Sequence, residues 1–290
     1  MDYSECRLCP RQCGVDRARE TGWCGAPAGA LVAKTMIHKW EEPVVAGSGG
    51  SGAIFFGGCT LGCLYCQNRA ISERPVGKPV DSAELRRMME ALIEQGAENI
   101  DLVTPTQYLP TIIPALEPKL PVPVVYNCGG YERVESLQAL EGLVDIYLPD
   151  LKYTNGALAR GLSGAGDYFS VAAKAIREMV RQTGPVQFVG EKLVRGTVIR
   201  HLILPGQVEN SLKALDWIGE NFAPGEVLVS LMRQYTPMPA VAHIPGLSRR
   251  VSDEEYDSVL SWMWLNDLEG FTQEGESAGE GYIPDWTAQT

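Results

Sequence analysis

From residue 53 onward, short and nearly continuous apolar runs alternate with amphipathic stretches, a pattern repeated about six times. The apolar runs at 53–57, 100–103, 122–126, 144–148, 198–204 and 227–231 predict six strands buried on both faces. The stretches between them predict helices. Over 81–95, Leu85, Met88, Met89, Leu92 and Ile93 share one face, Asp81 with Glu84 resembles a capping box, and Gly96 supplies the stop. Further helices are predicted over 108–116, after Tyr131, around Ala172, Ala175, Ile176 and Met179 up to Gly184-Pro185, and over 210–222. Ser252 and Glu255 form a second capping-box pattern ahead of Tyr256, Val259, Leu260 and Met263.

Buried strands alternating with helices argue for an α/β chain with a parallel sheet, either an open βα barrel or a doubly wound sheet. In both, chemistry gathers at the C-terminal ends of the strands. The unusual residues fall there: Cys59 after the first strand, Thr104 and Thr106 after the second, Asn127 and Cys128 after the third. Asp150 and Lys152 follow the fourth, and Gln234 and Tyr235 the sixth. Residues 1–50 show little periodicity and end in a glycine-rich run at 46–52, a flexible connector or a close-packed turn. The chain therefore divides into a Cys-rich N-terminal segment (1–50), a barrel core (51–245) and a C-terminal helix with an acidic tail (246–290). Tyr282 and Trp286 are the residues able to pin that tail.

With 290 residues, 45% of them hydrophobic and 21% charged, the chain can bury an ordinary core without staples. Its net charge of −11, with no long Lys/Arg run, disfavours nucleic acid and anionic membrane as partners. The start of the chain lacks a secretory pattern and no apolar stretch is long enough to span a bilayer, so the expected location is the cytoplasm. The eight cysteines are then better read as metal ligands than as disulfides. Cys59, Cys63 and Cys66 place three soft thiolates on one tight loop, which suits a cubane iron–sulfur cluster with one iron left open. A structural zinc would call for a fourth ligand, and the loop holds none. Cys6, Cys9, Cys13 and Cys24 are instead a closed set of four, a zinc knuckle or an auxiliary cluster.

The run Cys-x-x-x-Cys-x-aromatic-Cys, directly after a strand, resembles the radical S-adenosylmethionine (SAM) superfamily. Its continuation Cys63-Leu-Tyr-Cys66-Gln-Asn68 is similar to the branch containing pyruvate formate-lyase activating enzyme. The N-terminal Cys-x-Leu-Cys-Pro-Arg-x-Cys pattern is similar to that of the branch's homologues, and the likeness covers residues 6–237. The resemblance implies a partial (βα)6 radical SAM barrel with a small Cys-rich N-terminal appendage. It also implies a 4Fe-4S cluster whose open iron chelates SAM, and reductive cleavage to methionine and a 5′-deoxyadenosyl radical that abstracts a hydrogen atom. An electron donor such as flavodoxin or ferredoxin is implied, with a protein, peptide or small molecule as substrate. A glycyl-radical activase is the first expectation, a peptide- or small-molecule-modifying enzyme the second. A non-catalytic electron carrier is the reading from another class.

The site residues transfer unevenly. The Gly-Gly-Glu segment that receives the SAM amino group is absent, and Val103-Thr104-Pro105-Thr106 stands in its place, implicating Thr104 and Thr106. Asp150-Leu151-Lys152 matches an Asp-x-Lys that contacts SAM, Arg200 and Pro205-Gly206 resemble the strand-five segment, and Gln234 stands near a histidine beside SAM. Where the activating enzymes carry Asp-Thr-Asn-Gly at a cation site, this chain has Asn127-Cys128-Gly129-Gly130 and lacks the carboxylate. Tyr65 is expected against the SAM adenine or in the core beside the cluster. Cys128 is a buried filler or a proton or hydrogen-atom donor. His38, His201 and His243 lack metal-ligand spacing, and His38 with Glu41, Glu42 and Pro43 is expected to line the cavity.

Overall fold

In the computed structural model, which describes residues 1–273, all six apolar runs become parallel strands of one sheet. The positions Tyr282 and Trp286 lie outside the described residues. In chain order the strands are β1 (Ala30–His38), β2 (Ser51–Phe56), β3 (Lys78–Val80), β4 (Ile100–Val103), β5 (Val124–Cys128), β6 (Ile146–Pro149), β7 (Gln187–Val189), β8 (Lys192–Leu202), β9 (Leu228–Met232) and β10 (Gly270–Thr272). The helices are α1 (Pro43–Ala46), α2 (Arg69–Ser72), α3 (Ser82–Glu94), α4 (Leu109–Ala115), α5 (Val134–Gln138), α6 (Gly156–Ser163), α7 (Tyr168–Thr183), α8 (Val208–Asn221) and α9 (Asp253–Leu265). The spatial order β10-β9-β8-β6-β5-β4-β2-β1-β3 does not return on itself, so the barrel is open, with β7 attached to β8 as a hairpin. None of the described helices is long and apolar enough to cross a membrane.

Side chains alternate along each strand, and this divides the core into two layers. Ile54, Ile100, Leu102, Tyr126 and Tyr147 pack outward against Leu85, Met89 and Ile112 of the helices. Val125, Ile146, Leu148 and Val198 face inward, together with Val45 of α1. Because both faces are covered, the strands read as unbroken apolar runs rather than alternating ones.

The structure differs from the expectation in the first 50 residues. A nine-residue strand, β1, extends the sheet there by pairing antiparallel with β2, with a register shift between Val32 and Lys34. That irregularity, with Lys34 and Thr35 inside the strand, erases the period-two signal. The short elements β3, α6, β7 and β10 were not anticipated either, being too brief to carry a periodic pattern. Of the two readings of the 46–52 run, the close-packed turn is observed. The Gly49 N–H donates to Glu98 Oε1 (2.6 Å), and a Cβ at Gly49 would stand 2.7 Å from the Gly96 carbonyl oxygen.

Both capping positions form. Asp81 accepts from the Glu84 N–H (2.7 Å), and Ser252 with Glu255 makes a complete reciprocal box at the start of α9. Ser252→Ala is expected to cost about 1 kcal/mol by freeing that first-turn donor. The check is the midpoint of a urea unfolding curve, and an unchanged midpoint would show that the cap contributes nothing.

Candidate active site

β2 ends at Phe56, and two glycines lead into the cysteine loop. A Cβ at Gly57 would lie 2.3 Å from the Val76 carbonyl oxygen, so the chain turns there only because the side chain is missing. Beyond the turn, each loop sulfur accepts one hydrogen bond. The Leu61 N–H donates to Cys59 Sγ (3.4 Å), the Ser163 hydroxyl to Cys63 Sγ (3.0 Å) and the Ser72 hydroxyl to Cys66 Sγ (3.6 Å). Such bonds favour the thiolate form that an iron–sulfur cluster requires. Burial pushes the Cys59 thiol up to about 12, and the neighbouring Cys63 and Cys66 add to the rise. A bound cationic centre would offset this cost of gathering three thiolates away from water. The soft, incomplete donor set therefore fits a cluster. Among the described residues no three His, Cys, Asp or Glu side chains gather closely enough to share one ion, so the loop is not preshaped for a lone metal.

Across from the loop stands a partly buried charge network. Lys152 and Arg200 both donate to the Asp150 carboxylate, Arg200 through Nε at 2.9 Å. Arg200 Nη2 also donates to Asn127 Oδ1 (2.6 Å), and Asn127 Nδ2 to Asp101 Oδ2 (3.3 Å). Glu41, from the segment entering α1, approaches Arg200 at 3.6 Å. Burial alone would raise the Asp150 carboxyl, but Arg200 and Lys152 outweigh it and hold the group below its usual range. Asp101 moves the other way. Burial carries it up to about 7, against the pull of Arg200 and Asn127, with Glu42 adding to the rise. Burial likewise pushes Glu41 well up, helped by Asp101 and Glu42.

The backbone places this network against the cysteine loop. Leu61 packs over Gly129, with Lys152 on the same side; a Cβ at Gly129 would meet Leu61 Cδ1 at 2.8 Å and Lys152 Cε at 3.6 Å. Gly130, at φ +75°, has the Asp150 carbonyl oxygen 2.1 Å from where a Cβ would stand. The Tyr168 hydroxyl, from α7, accepts from the Lys152 N–H (3.0 Å) and lies 2.6 Å from the Asp150 carbonyl and 2.9 Å from that of Gly129. Gln67, next after Cys66, donates to the Gln234 carbonyl (3.2 Å), which brings the end of β9 to the loop.

The structure thus brings together Cys59, Cys63, Cys66, Asn127, Asp150, Lys152, Arg200 and Gln234. Thr104 stands at the end of β4 with φ +59°, a left-handed conformation unusual for a β-branched residue and a mark of a constrained position. Tyr65 is buried with Tyr153 and Tyr235 against its ring (6.4 and 6.1 Å between centroids), and its hydroxyl accepts from Tyr153 (2.7 Å).

Two candidates lie elsewhere. β5 begins and ends two residues later than expected, which places both Asn127 and Cys128 within the strand. Alternation then turns Asn127 inward and Cys128 outward, into the helix layer with Tyr126 and Tyr147. Thr106 belongs to that outer layer too, its hydroxyl donating to Glu132 Oε1 (2.7 Å) while Tyr126 donates to Oε2 (3.2 Å). His201 is buried between the Leu151 carbonyl (2.6 Å) and the Ser211 hydroxyl (2.8 Å), an ordinary polar role. His243 is exposed, whereas His38 lies 3.9 Å from Glu41 at the inner end of the barrel.

Sequence reasoning missed Asp101, Glu132, Ser163 and Tyr168. Only Asp101 carries a local signal, a charge inside an otherwise apolar strand.

Burial raises Glu132 to about 7, against the donors Thr106 and Tyr126. A carboxyl raised on folding stabilises the protein below its unfolded value near 4.5, and that contribution is lost as pH rises toward 7. Relative to Glu132→Gln, the native protein should therefore lose up to about 3 kcal/mol between those two values. Parallel unfolding curves for the two proteins across that range would refute the assignment.

Comparison with known proteins agrees with this geometry. Residues 45–104, from α1 through the cysteine loop to Thr104, match the family model of the 4Fe-4S single cluster domain. The uncharacterized protein MJ0674 of Methanocaldococcus jannaschii is 28% identical over 271 residues, covering 89% of this chain and 74% of that protein. A radical SAM methyltransferase from Sphaerobacter thermophilus superposes on 79% of this chain and 68% of its own, with a TM-score of 0.53 and 15% identity. SuiB of Streptococcus suis, in its SAM-bound structure, matches 75% of this chain with a TM-score of 0.50 and 12% identity. This chain spans 48% of SuiB, about half its length. The chain has the α/β fold of the radical SAM enzymes, with the 4Fe-4S single cluster match covering its three-cysteine loop.

Proposed function

We propose that this protein is a radical SAM enzyme. The carrying observation is the three-thiol loop, with no fourth local ligand, facing the partly buried Lys152–Asp150–Arg200 network at the strand ends. Cys59, Cys63 and Cys66 would hold a 4Fe-4S cluster. Bound there, the cluster supplies the electron that cleaves SAM to methionine and a 5′-deoxyadenosyl radical.

The chain's own residues position SAM. Lys152 offers a fixed cation to the SAM carboxylate, and Asp150 orients that cation while Arg200 holds Asp150. Thr104 and the end of β9 at Gln234 complete the rim around the amino acid portion. Asn127 extends the polar surface inward from Arg200. A cleft of about 550 Å³ lined by Arg69, Glu73, Arg74, Met238 and Ala240 opens beside α2, directly after the loop. The donor of the electron is a small flavodoxin- or ferredoxin-type protein. For the substrate, activation of a partner by a glycyl radical is the first reading, and an electron spin resonance signal on a co-expressed partner tests it. Peptide modification is the second, favoured by the open cleft and by the SuiB structure bound to its precursor peptide SuiA.

Anaerobically reconstituted and reduced, the protein should convert SAM to 5′-deoxyadenosine and methionine. Each of Cys59→Ala, Cys63→Ala and Cys66→Ala should abolish that conversion together with the cluster's visible absorbance. Asp150→Asn should keep the cluster and raise the SAM concentration for half-saturation about tenfold or more, since it leaves two partly buried cations short of their counter-charge. A fully loaded cluster with no 5′-deoxyadenosine formed would overturn the proposal.

A further inference from the structure

Cys6, Cys9, Cys13 and Cys24 have no part in the chemistry above. They nevertheless share one set of turns: the Gly14 N–H, next after Cys13, donates to the Cys6 carbonyl (2.9 Å), and Cys13 lies against Gly22 and Trp23 just before Cys24, although the four sulfurs do not gather closely enough in this structure to share one ion. The Trp23 N–H points at Cys13 Sγ (3.4 Å), which also occupies the space where a Cβ on Gly22 would stand, 2.9 Å away. Tight turns present the sulfurs. The Gln12 N–H donates to the Cys9 carbonyl (3.0 Å), with Gln12 in the left-handed region at φ +42°. The Gly25 N–H donates to the Gly22 carbonyl (3.0 Å), and the Cys6 N–H to the Val15 carbonyl (2.9 Å) closes the loop at its base. All four thiols are free.

Polar contacts tie this segment to itself and to the barrel, chief among them the buried Arg17 guanidinium, which donates to the carbonyls of Ala26, Pro27 and Gln107. Before β1 there is no helix or strand, and the only buried side chains are those of Cys6, Leu8, Cys9, Arg17 and Ala26. The segment has no hydrophobic core of its own, so a metal would add to those contacts. Contacts to the barrel anchor its ends, such as the Ser136 hydroxyl to the Leu8 carbonyl (2.7 Å), but they do not engage the sulfurs.

Arg11 links the four thiols to the barrel. It sits between Cys9 and Cys13, stacks on Trp23 (3.9 Å to the ring centroid) and reaches out to three backbone carbonyls. Nε donates to Thr60 (3.0 Å), Nη2 to Ser163 (3.0 Å) and Nη1 to Gly164 (2.6 Å). Thr60 follows Cys59, and the Ser163 hydroxyl is the donor to Cys63 Sγ. One guanidinium therefore spans the four-cysteine loop, the end of α6 and the three-cysteine loop.

We propose that Cys6, Cys9, Cys13 and Cys24 bind a second, thiolate-ligated metal centre, zinc or an iron–sulfur cluster, and that it fixes Arg11 as a clasp on the Cys59–Cys66 loop. The metal site stands independently of the radical SAM reading; the clasp rests on it.

Iron, zinc and acid-labile sulfide are measured per chain in anaerobically purified protein, in Cys13→Ser/Cys24→Ser and in Cys59→Ser/Cys63→Ser/Cys66→Ser. The first variant should lose either one zinc or about four irons with their sulfide, which tells the two centres apart, and should keep the other cluster's iron. The second should show the reverse loss; if it alone fails to lose iron, the radical SAM reading falls and the four-cysteine site stands. Unchanged metal and sulfide in the first variant would overturn the site. Native protein gives a control that needs no variant. Cys13 is exposed in this structure, so iodoacetamide should label it slowly when the centre is bound and quickly after chelation. Fast labelling before chelation would equally overturn the site. For the clasp, Arg11→Gln should retain the N-terminal metal while the other cluster bleaches in air about tenfold faster. An unchanged bleaching rate would remove the clasp.

Discussion

The partly buried carboxylate of Asp150, held between the Lys152 ammonium and the Arg200 guanidinium, is the constraint around which the site is organised. Charges taken out of water are tolerated only when they are paired and hydrogen-bonded, and each of these three is. Arg200 carries the pairing on to Asn127 and Glu41, so the ends of β5, β6 and β8 and the segment before α1 share one electrostatic network. Tyr168 fixes the backbone of the same turn, and Gly130 lets the neighbouring turn approach it. The rigidity that orients Lys152 toward the cysteine loop therefore comes from several elements at once.

Below that pairing, Asp101, Glu41 and Glu42 lie around the Arg200 guanidinium, and the buried atoms Asp101 Oδ1 and Glu42 Oε2 have no hydrogen-bond partner. Burial pushes both Asp101 and Glu41 toward their protonated forms. The polar interior thus runs from a protonatable floor, through Arg200, to a thiol-lined rim. Such a gradient places fixed charge beside the loop and keeps the ionised acid, Asp150, between its two cations.

Much of the rim was legible because its chemistry is local in the chain. Three cysteines within eight residues must share a loop wherever that loop lies, and Asp150 and Lys152 are two residues apart. The six strands were legible for a similar reason, since burial on both faces leaves an unbroken apolar run. Thr106 was misplaced because a short turn after β4 decides which layer it joins, whereas Cys128, drawn into β5 by the later bounds of that strand, takes the first of its two expected roles, a buried filler. Periodicity reads the existence of an element far better than its ends. β1 escaped because a register shift and polar residues break its alternation.

The sequence by itself determined the parallel βα alternation, the soft three-thiol loop at the end of the first parallel strand and the closed set of four cysteines near the start. Each rests on residue types at short spacing, which the chain cannot separate. Tertiary structure alone decided that Arg200 meets Asp150, Asn127 and Glu41. It also decided that Ser163, from a helix a hundred residues away, donates to Cys63, and that Arg11 joins the four-cysteine loop to the three-cysteine loop. These contacts link groups from about 50 to more than 150 residues apart in the chain. Their partners are chosen by which strands lie side by side and by the cost of leaving a buried charge or donor unpaired.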